Sequence, residues 1–542
     1  MKLENIYLCP FQDNFFRLND SVKNMKELLR NHPVNMNDWM KYHPYTQPSQ
    51  TDFYYLKLCN HLLKENIDQP FLKDLKWTEY KDLTCMLVCY FEDVISETAI
   101  WRSFTAEHQR LYGKILPFYD TDNDYYADEI NHQDINFLVW HFLSIADENC
   151  LFNPFHPVIS LFSLSVFEIL ETEYETAPQN TEFKEFLTIS DSKDLFVIRP
   201  VMQFLMTQSF LNYHFLKKKM DEGFAAINKQ KPRREHESMV KYHFMLGLLC
   251  NSISPMLALR YNEQLANMIG KDHPRYHEIK TISKRYSLSC TVKGDDDTYF
   301  YLEHIATGQR INLVKDTLSP DLKKSNIVPG KRLWVNVVKW GDEWALTGMM
   351  IIYDDRETIR TISDEKHLFD PEEPKFEMLD HHEECFKDLT AGNPFAYFAN
   401  TKQYNDFVNR FRVHIFEKAN PGETFPEKEK LIYDEEEDME DIVMFFNHHS
   451  GTELYPDLAS AVNEPRNPYY KRGETVDIQS LVTAKSISPE FLKYLIDNQL
   501  ITFIQEKEMD DRTIIENLDF LMRYFKQEDY FSEPRVTIVN GQ

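Results

Sequence analysis

The sequence predicts a mainly α, multi-domain chain with a small antiparallel β-barrel of SH3-like or OB-like type inserted in it. Three observations carry this. At 542 residues the chain exceeds what one hydrophobic core organises. From Asp52 to about Ile282 apolar residues recur at three and four, the helical period. At Arg285 the period drops to two, the period of strands.

The helical region begins with Asp52–Leu63, followed by Tyr80 to about Gly113, Gln133–Ala146 and Val201–Met220. Asn131 is placed to cap the third of these, with Asp134 in its first turn, where a negative charge suits the helix dipole. Prolines, as in Asn153-Pro-Phe-His-Pro157, punctuate the run. The strands are Arg285–Val292, Thr298–Ile305, Gln309–Val314, Lys331–Val338 and Glu343–Tyr353. Gly294-Asp-Asp-Asp297, Thr307-Gly308, Pro329-Gly330 and Trp340-Gly341-Asp342 supply the turns between them. The resulting division is a helical region 1–283, a barrel 284–353, a charged linker 354–376 and a mostly helical α+β domain 377–542. In that last part Ser488-Pro489-Glu490 has the order of a helix start, and the acidic run Asp434–Asp438 reads as an exposed loop.

Composition bounds function. A hydrophobic share of 42% excludes wholesale disorder, and the net charge of -27 repels polyanions from the surface as a whole. The longest apolar stretch, Val158–Leu170, is too short for a bilayer and contains Glu168, so no membrane association is expected. The start Met1-Lys-Leu-Glu lacks the basic and apolar order of a secretory signal. The eight cysteines are scattered, with Cys85 and Cys89 on one apolar helix face, so a reduced, cytoplasmic setting is expected. Only 14 glycines occur, and the closest two, Gly341 and Gly348, stand seven apart. That spacing excludes the standard Walker A loop, the dinucleotide fingerprint and the nucleophile elbow.

Four phrases resemble an uncharacterised domain-of-unknown-function family from Bacteroides-type bacteria. They are Trp39-Met-Lys-Tyr-His-Pro-Tyr45, Trp101-Arg-Ser-Phe-Thr105, Leu116-Pro-Phe-Tyr-Asp120 and Asn467-Pro-Tyr-Tyr470. The resemblance implies a bacterial cytoplasmic protein and brings no activity or site residues with it.

Three sets of residues are candidates for chemistry. Between Leu211 and Cys290 there are 14 Lys+Arg against 7 Asp+Glu, with Lys217, Lys218, Lys219, Lys229, Lys231, Arg233, Arg234, Lys284 and Arg285 as the core of a nucleic-acid-binding candidate. Barrel aromatics Tyr286, Tyr299, Tyr301, Trp334, Trp340 and Trp344 would supply stacking faces beside that charge. Glu129-Ile-Asn-His132 has the Glu-x-x-His form of one half of a di-iron site, making Glu129 and His132 the metal candidates. Arg102 and His108 have the arginine-to-histidine spacing of the HEPN ribonucleases, although Ser103 stands where those carry Asn or Asp. The expectation is a non-enzymatic binding or scaffold protein with a protein partner and no cofactor. The alternatives are an RNA- or ribosome-associated factor and a helical nuclease or metal-dependent enzyme.

Overall fold

In the computed structural model the predicted helices and strands form with shifted ends. It describes residues 26–69, 75–190, 195–229, 234–305, 307–318, 322, 327–353, 376–426, 439–504 and 511–530. The linker 354–375, the Asp434–Asp438 run, Lys231 and Arg233 lie outside the described residues. Two compact units emerge, the larger within Leu8–Glu148 and Phe152–Asp370 and the smaller chiefly within Pro371–Gln542, together with Asn149–Leu151. About half the chain is helical and strands build two sheets, so the fold is a multi-domain α/β arrangement rather than a mainly α one. Among the described residues no helix is long and apolar enough to cross a membrane.

The larger unit begins with α1 (Met36–Met40), α2 (Gln50–Glu65), α3 (Trp77–Ser96), α4 (Ile100–Tyr112), α5 (His132–Ala146) and α6 (Pro157–Glu173). It continues through α7 (Thr181–Leu187), α8 (Leu195–Thr207), α9 (Tyr213–Lys229), α10 (Arg234–Asn251), α11 (Tyr261–Ile269) and α12 (Tyr276–Lys280). The single helix expected over Tyr80–Gly113 is two. Glu97 and Ala99 take left-handed φ of 53° and 66°, and the buried Asp93 carboxylate accepts the Ile100 and Trp101 amides at 2.9 and 2.7 Å. Asp93 thus caps α4 from the preceding helix, accepting two of the orphan amides that a new helix start exposes. The run expected over Val201–Met220 is likewise split into α8 and α9. Asn131 stands at the start of α5, but its side chain makes no capping bond to the helix amides. Cys85 and Cys89 are buried core residues of α3.

Five strands follow: β1 (Tyr286–Asp295), β2 (Tyr299–His304), β3 (Arg310–Val314), β4 (Arg332–Trp340) and β5 (Glu343–Tyr353). They bond in the order β1-β2-β3-β5-β4, and β4 returns to β1, so the sheet closes on itself. It is mixed, not antiparallel as expected, because β3 meets β5 in parallel at Leu313 and Trp344. Val292, Leu302, Leu313, Val335 and Val337 fill its interior. Arg285 docks the sheet on α10, donating its guanidinium to the His243 carbonyl at 2.9 Å and its amide to Asn251 at 2.8 Å.

One glycine in this sheet is required. Gly348 has φ +153°, and a Cβ there would lie 3.0–3.1 Å from the Asn336 side chain. Asn336 sits at the β4 irregularity, is fully buried and links Ser287 Oγ on one side to the Met349 amide on the other. Gly348→Ala is therefore expected to cost about 1–3 kcal/mol through backbone strain and displacement of Asn336. All seven tryptophans precede residue 345, so tryptophan fluorescence during urea unfolding reads the larger unit alone. An unchanged midpoint would show that β5 absorbs the methyl group freely.

The smaller unit contains α13 (Phe376–Leu389), β6 (Phe395–Asn400), α14 (Thr401–Ala419), β7 (Glu440–Asn447) and β8 (Gly451–Tyr455). These are followed by α15 (Ile478–Thr483), α16 (Pro489–Asp497), α17 (Asp511–Glu516) and α18 (Leu518–Phe525). Ser488 caps α16 by accepting the Phe491 amide, with Pro489 at its first position, as the sequence predicts. The antiparallel sheet β6-β7-β8 is sandwiched between helices. Ala396 and Phe398 face Phe386, Phe407 and Phe411 on one side, and Phe395 meets Phe491 and Tyr494 on the other. The sheet therefore has β6 as one of its edges.

Candidate functional site

Strand β6 and helix α14 are joined without a loop, so residues of both line one cleft of about 610 Å³. Asn400 makes the junction by accepting the Gln403 amide. Gln403, Asp406, Phe407 and Arg410 recur at three and four and so share one face of α14. The other flank is Arg466, Pro468 and Tyr469. Asn467 shapes that flank, donating to the Ala459 and Val462 carbonyls at 2.6 and 2.7 Å and accepting the Tyr469 amide at 3.0 Å. The Tyr469 hydroxyl donates to Gln403 Oε1 at 2.7 Å and so bridges the two flanks. Arg466 donates to the Ala391 carbonyl at 3.0 Å, and Glu464 accepts from Arg466 and Asn393.

The charges here are unevenly matched. Arg466 is neutralised by Glu464 at 3.3 Å. Arg410 is exposed, lies over the Phe407 ring at 5.6 Å and pairs with no carboxylate among the described residues. The Tyr397 hydroxyl is buried and meets no partner among them, and its acidity is weakened first by burial and then by Glu464. Volume, aromatic walls and a few convergent polar groups are the attributes of small-ligand sites.

The larger unit holds a different polar cluster. His43, Asp52 and Glu92 bring ligating atoms within 4.8 Å of one another and are fully buried, the one such trio among the described residues. Their oxygens are already taken. Asp52 accepts Trp39 Nε1 at 2.9 Å, Tyr45 OH at 3.2 Å, and the Ser49 amide and hydroxyl at 2.7 and 2.8 Å. Glu92 accepts His43 at 2.8 Å and Asn180 Nδ2 at 2.8 Å. Indole and amide N–H groups cannot turn into acceptors, so donors aimed inward oppose a cation. Burial alone would lower the His43 pKa; the Glu92 carboxylate, with Asp52 behind it, overrides this and raises it. The trio is a structural core of hydrogen bonds.

The family described as a protein of unknown function, DUF3843, matches over residues 34–299 and 327–527. The chain belongs to the DUF3843 family. No curated protein and no solved structure matches it. Two phrases behind the sequence resemblance have structural roles in this DUF3843 chain. Trp39–Tyr45 builds the buried trio, and Asn467–Tyr470 builds a cleft wall.

The residues singled out from the DUF3843 sequence are scattered. Arg102 is exposed and pairs with Asp128 at 3.2 Å. His108, six residues on along α4, is buried with Nδ1 at 2.7 Å from the Lys114 carbonyl, and burial lowers its pKa to about 4. At 100° per residue the two stand about 120° apart around α4, Arg102 on its exposed side and His108 on its buried side. Glu129 is exposed; His132 is half-buried, and its Nε2 lies 3.4 Å from the Ser160 carbonyl. Neither belongs to a group of three ligating side chains among the described residues.

The basic set is also dispersed. Lys217 pairs with Asp221 at 3.1 Å, Lys218 with Glu148 at 3.0 Å, and Lys219 lies over Phe215 at 4.6 Å. Lys229 is exposed at the end of α9, and Arg234 opens α10 with its side chain outside the described residues. Lost hydration, then the Arg260 charge, holds the Lys284 ammonium below its usual pKa, and Arg285 is the docking residue described above. Sequence reasoning missed Arg410, Arg466, Tyr397 and Gln403. Only the Asn467–Tyr470 phrase pointed toward their cleft.

Proposed function

We propose that this DUF3843 chain is a non-enzymatic binding protein whose ligand site is the cleft between α14 and the 466–469 segment. The observation that supports it most is an arginine without a carboxylate partner, Arg410, on the rim of a 610 Å³ cleft with aromatic walls. An exposed guanidinium of this kind suits a carboxylate or phosphate. The reading includes a cytoplasmic setting of Bacteroides-type bacterial origin, supported by the four phrases and by the free cysteines from Cys59 to Cys385.

It also includes an OB-like barrel as a scaffold element. The β1-β2-β3-β5-β4 order and the parallel β3–β5 contact favour OB-like over SH3-like. Asp295 ends β1 and Asp296 and Asp297 follow in the β1–β2 turn, while the β4–β5 turn carries Asp342 and leads into Glu343. Tyr301 donates to Asp296 at 2.5 Å and Tyr299 donates to Glu343. Those carboxylates repel phosphate, so the barrel favours protein or small-molecule partners over RNA.

Thermal unfolding in the presence of small carboxylates, inorganic phosphate and short peptides tests the reading. A ligand at a hundred times its Kd stabilises the unit it binds by about 2.7 kcal/mol. At least one class is expected to raise the midpoint of the native chain and not of Asp406→Trp, which fills the cleft from an exposed helix position. If no class shifts the native midpoint at millimolar concentration, the cleft is not a binding site.

A further inference from the structure

The edge of β6 turns its main chain toward this cleft. Pro394 accepts the Phe446 amide at 2.9 Å, and the register runs Ala396 opposite Met444 and Phe398 opposite Ile442. In an antiparallel ladder only alternate residues bond to the neighbouring strand. Pro394, Ala396 and Phe398 therefore face β7, while Phe395 and Tyr397 direct N–H and C=O away from it. Two of the amides along this edge are covered by side chains. Phe395 donates to Asn393 Oδ1 at 3.2 Å, and Ala399 donates to Gln403 Oε1 at 2.9 Å. Such covers blunt an edge against unrestricted strand pairing. Between them, the Tyr397 N–H and C=O have no partner among the described residues.

We propose that the β6 edge takes an extended peptide as an added strand, paired at Tyr397, with an acidic side chain of the peptide held by Arg410. This rests on the cleft being the binding site and names what enters it. Strand addition draws affinity from main-chain bonds and selectivity from flanking side chains. Both ingredients are present in one place: an open donor and acceptor on Tyr397, and a cation with no carboxylate partner on α14. The side-chain covers at Phe395 and Ala399 restrict full pairing to one residue, so the contact is short and the arginine selects what stays. A peptide lacking an acidic residue would leave Arg410 unmatched and bind more weakly.

The test uses the full chain and fluorescence anisotropy of a labelled eight-residue peptide of alternating threonine and valine with one central glutamate. A twin peptide carries glutamine in its place. The glutamate peptide is expected to bind at least tenfold more tightly than its twin, and Arg410→Glu should abolish that preference. Tyr397→Pro removes the outward N–H while leaving the bonds to β7, because proline is tolerated on the free side of an edge strand. It should weaken binding at least tenfold relative to Tyr397→Val, which keeps the N–H. Should Tyr397→Pro fail to fold by circular dichroism, the Arg410→Glu comparison still decides. Binding that is indifferent to both positions would overturn the proposal. So would a concentration-dependent dimer lost in Tyr397→Pro with no peptide bound, since the occupant would then be a second copy. Failure of both peptides up to about 1 mM, with a small carboxylate still stabilising the native chain, would overturn strand addition alone and leave the cleft as a ligand site. Failure of every ligand would remove both.

Discussion

Glu92→Ala is expected to destabilise the larger unit by about 3–5 kcal/mol, the usual effect of removing one member of a buried charged pair. Its carboxylate is the acceptor for both His43 and Asn180, and both are buried with it. Without Glu92 the buried His43 Nε2 loses its acceptor, the nearest other carboxylate oxygen being Asp52 Oδ1 at 3.9 Å, and Asn180 Nδ2 keeps only the Tyr45 hydroxyl at 2.6 Å. Glu92→Gln should do less damage, because its amide oxygen still accepts one of the two. The variant also alters the response to pH. The His43 pKa is raised in the folded chain, so its contribution is fully present below the unfolded value of about 6.5 and is lost as pH rises through the folded value. Urea unfolding read by tryptophan fluorescence between pH 6 and 9 should show this decline in the native chain and a flatter profile in Glu92→Ala. A loss below 1 kcal/mol would mean the trio contributes little to stability.

Asp134→Asn is expected to remove a pH-dependent loss of about 4 kcal/mol. Asp134 is fully buried and accepts Tyr90 OH at 2.6 Å, Tyr125 OH at 3.0 Å and Asn131 Nδ2 at 3.3 Å. Burial raises its pKa to about 7 against a usual 3.8, with Tyr90, Asn131, Tyr125 and Trp101 opposing that shift only in part. The folded chain therefore holds this proton more tightly than the unfolded chain does. Its contribution is complete below about pH 4 and disappears as pH rises through about 7, and a shift of some three units corresponds to about 4 kcal/mol. Asparagine keeps the shape and cannot ionise. The stability of the variant relative to the native chain should therefore rise by that amount between pH 4 and 8. A difference constant across that range would show that Asp134 does not change its proton on folding.

Much of the strand region was legible in the sequence. Alternation from Tyr286 to Val292 and the Gly294, Gly308, Gly330 and Gly341 turns are local signals, and the strands appear within a few residues of their predicted ends. The parallel contact of Leu313 with Trp344 was not legible, because two strands thirty residues apart meet only once the sheet closes. The break after α3 was hidden for another reason. It uses Glu97 and Ala99 in left-handed conformation where glycine would have signalled it, and Asp93 stabilises it from within the previous helix. Charge density misled in a simple geometric way. Lys217, Lys218 and Lys219 follow one another at 100° steps around α9, so a basic run in sequence points in three directions in space. The cleft was illegible because it joins residues 389–410 to 466–469, and neither segment has a diagnostic spacing by itself.

The closed sheet also sets an order of events during synthesis. Tyr286 of β1 pairs with Val337 of β4, about fifty residues later in the chain. A ribosome adding about 5–20 residues per second needs roughly 3–10 s to make that stretch. Through that interval β1 has β2 at most as a neighbour, and the side of α10 that β5 will cover stays bare. The helices of the larger unit can be complete in sequence and still wait for their last wall, so a nascent chain stalled before Tyr353 would expose apolar surface that the finished protein conceals.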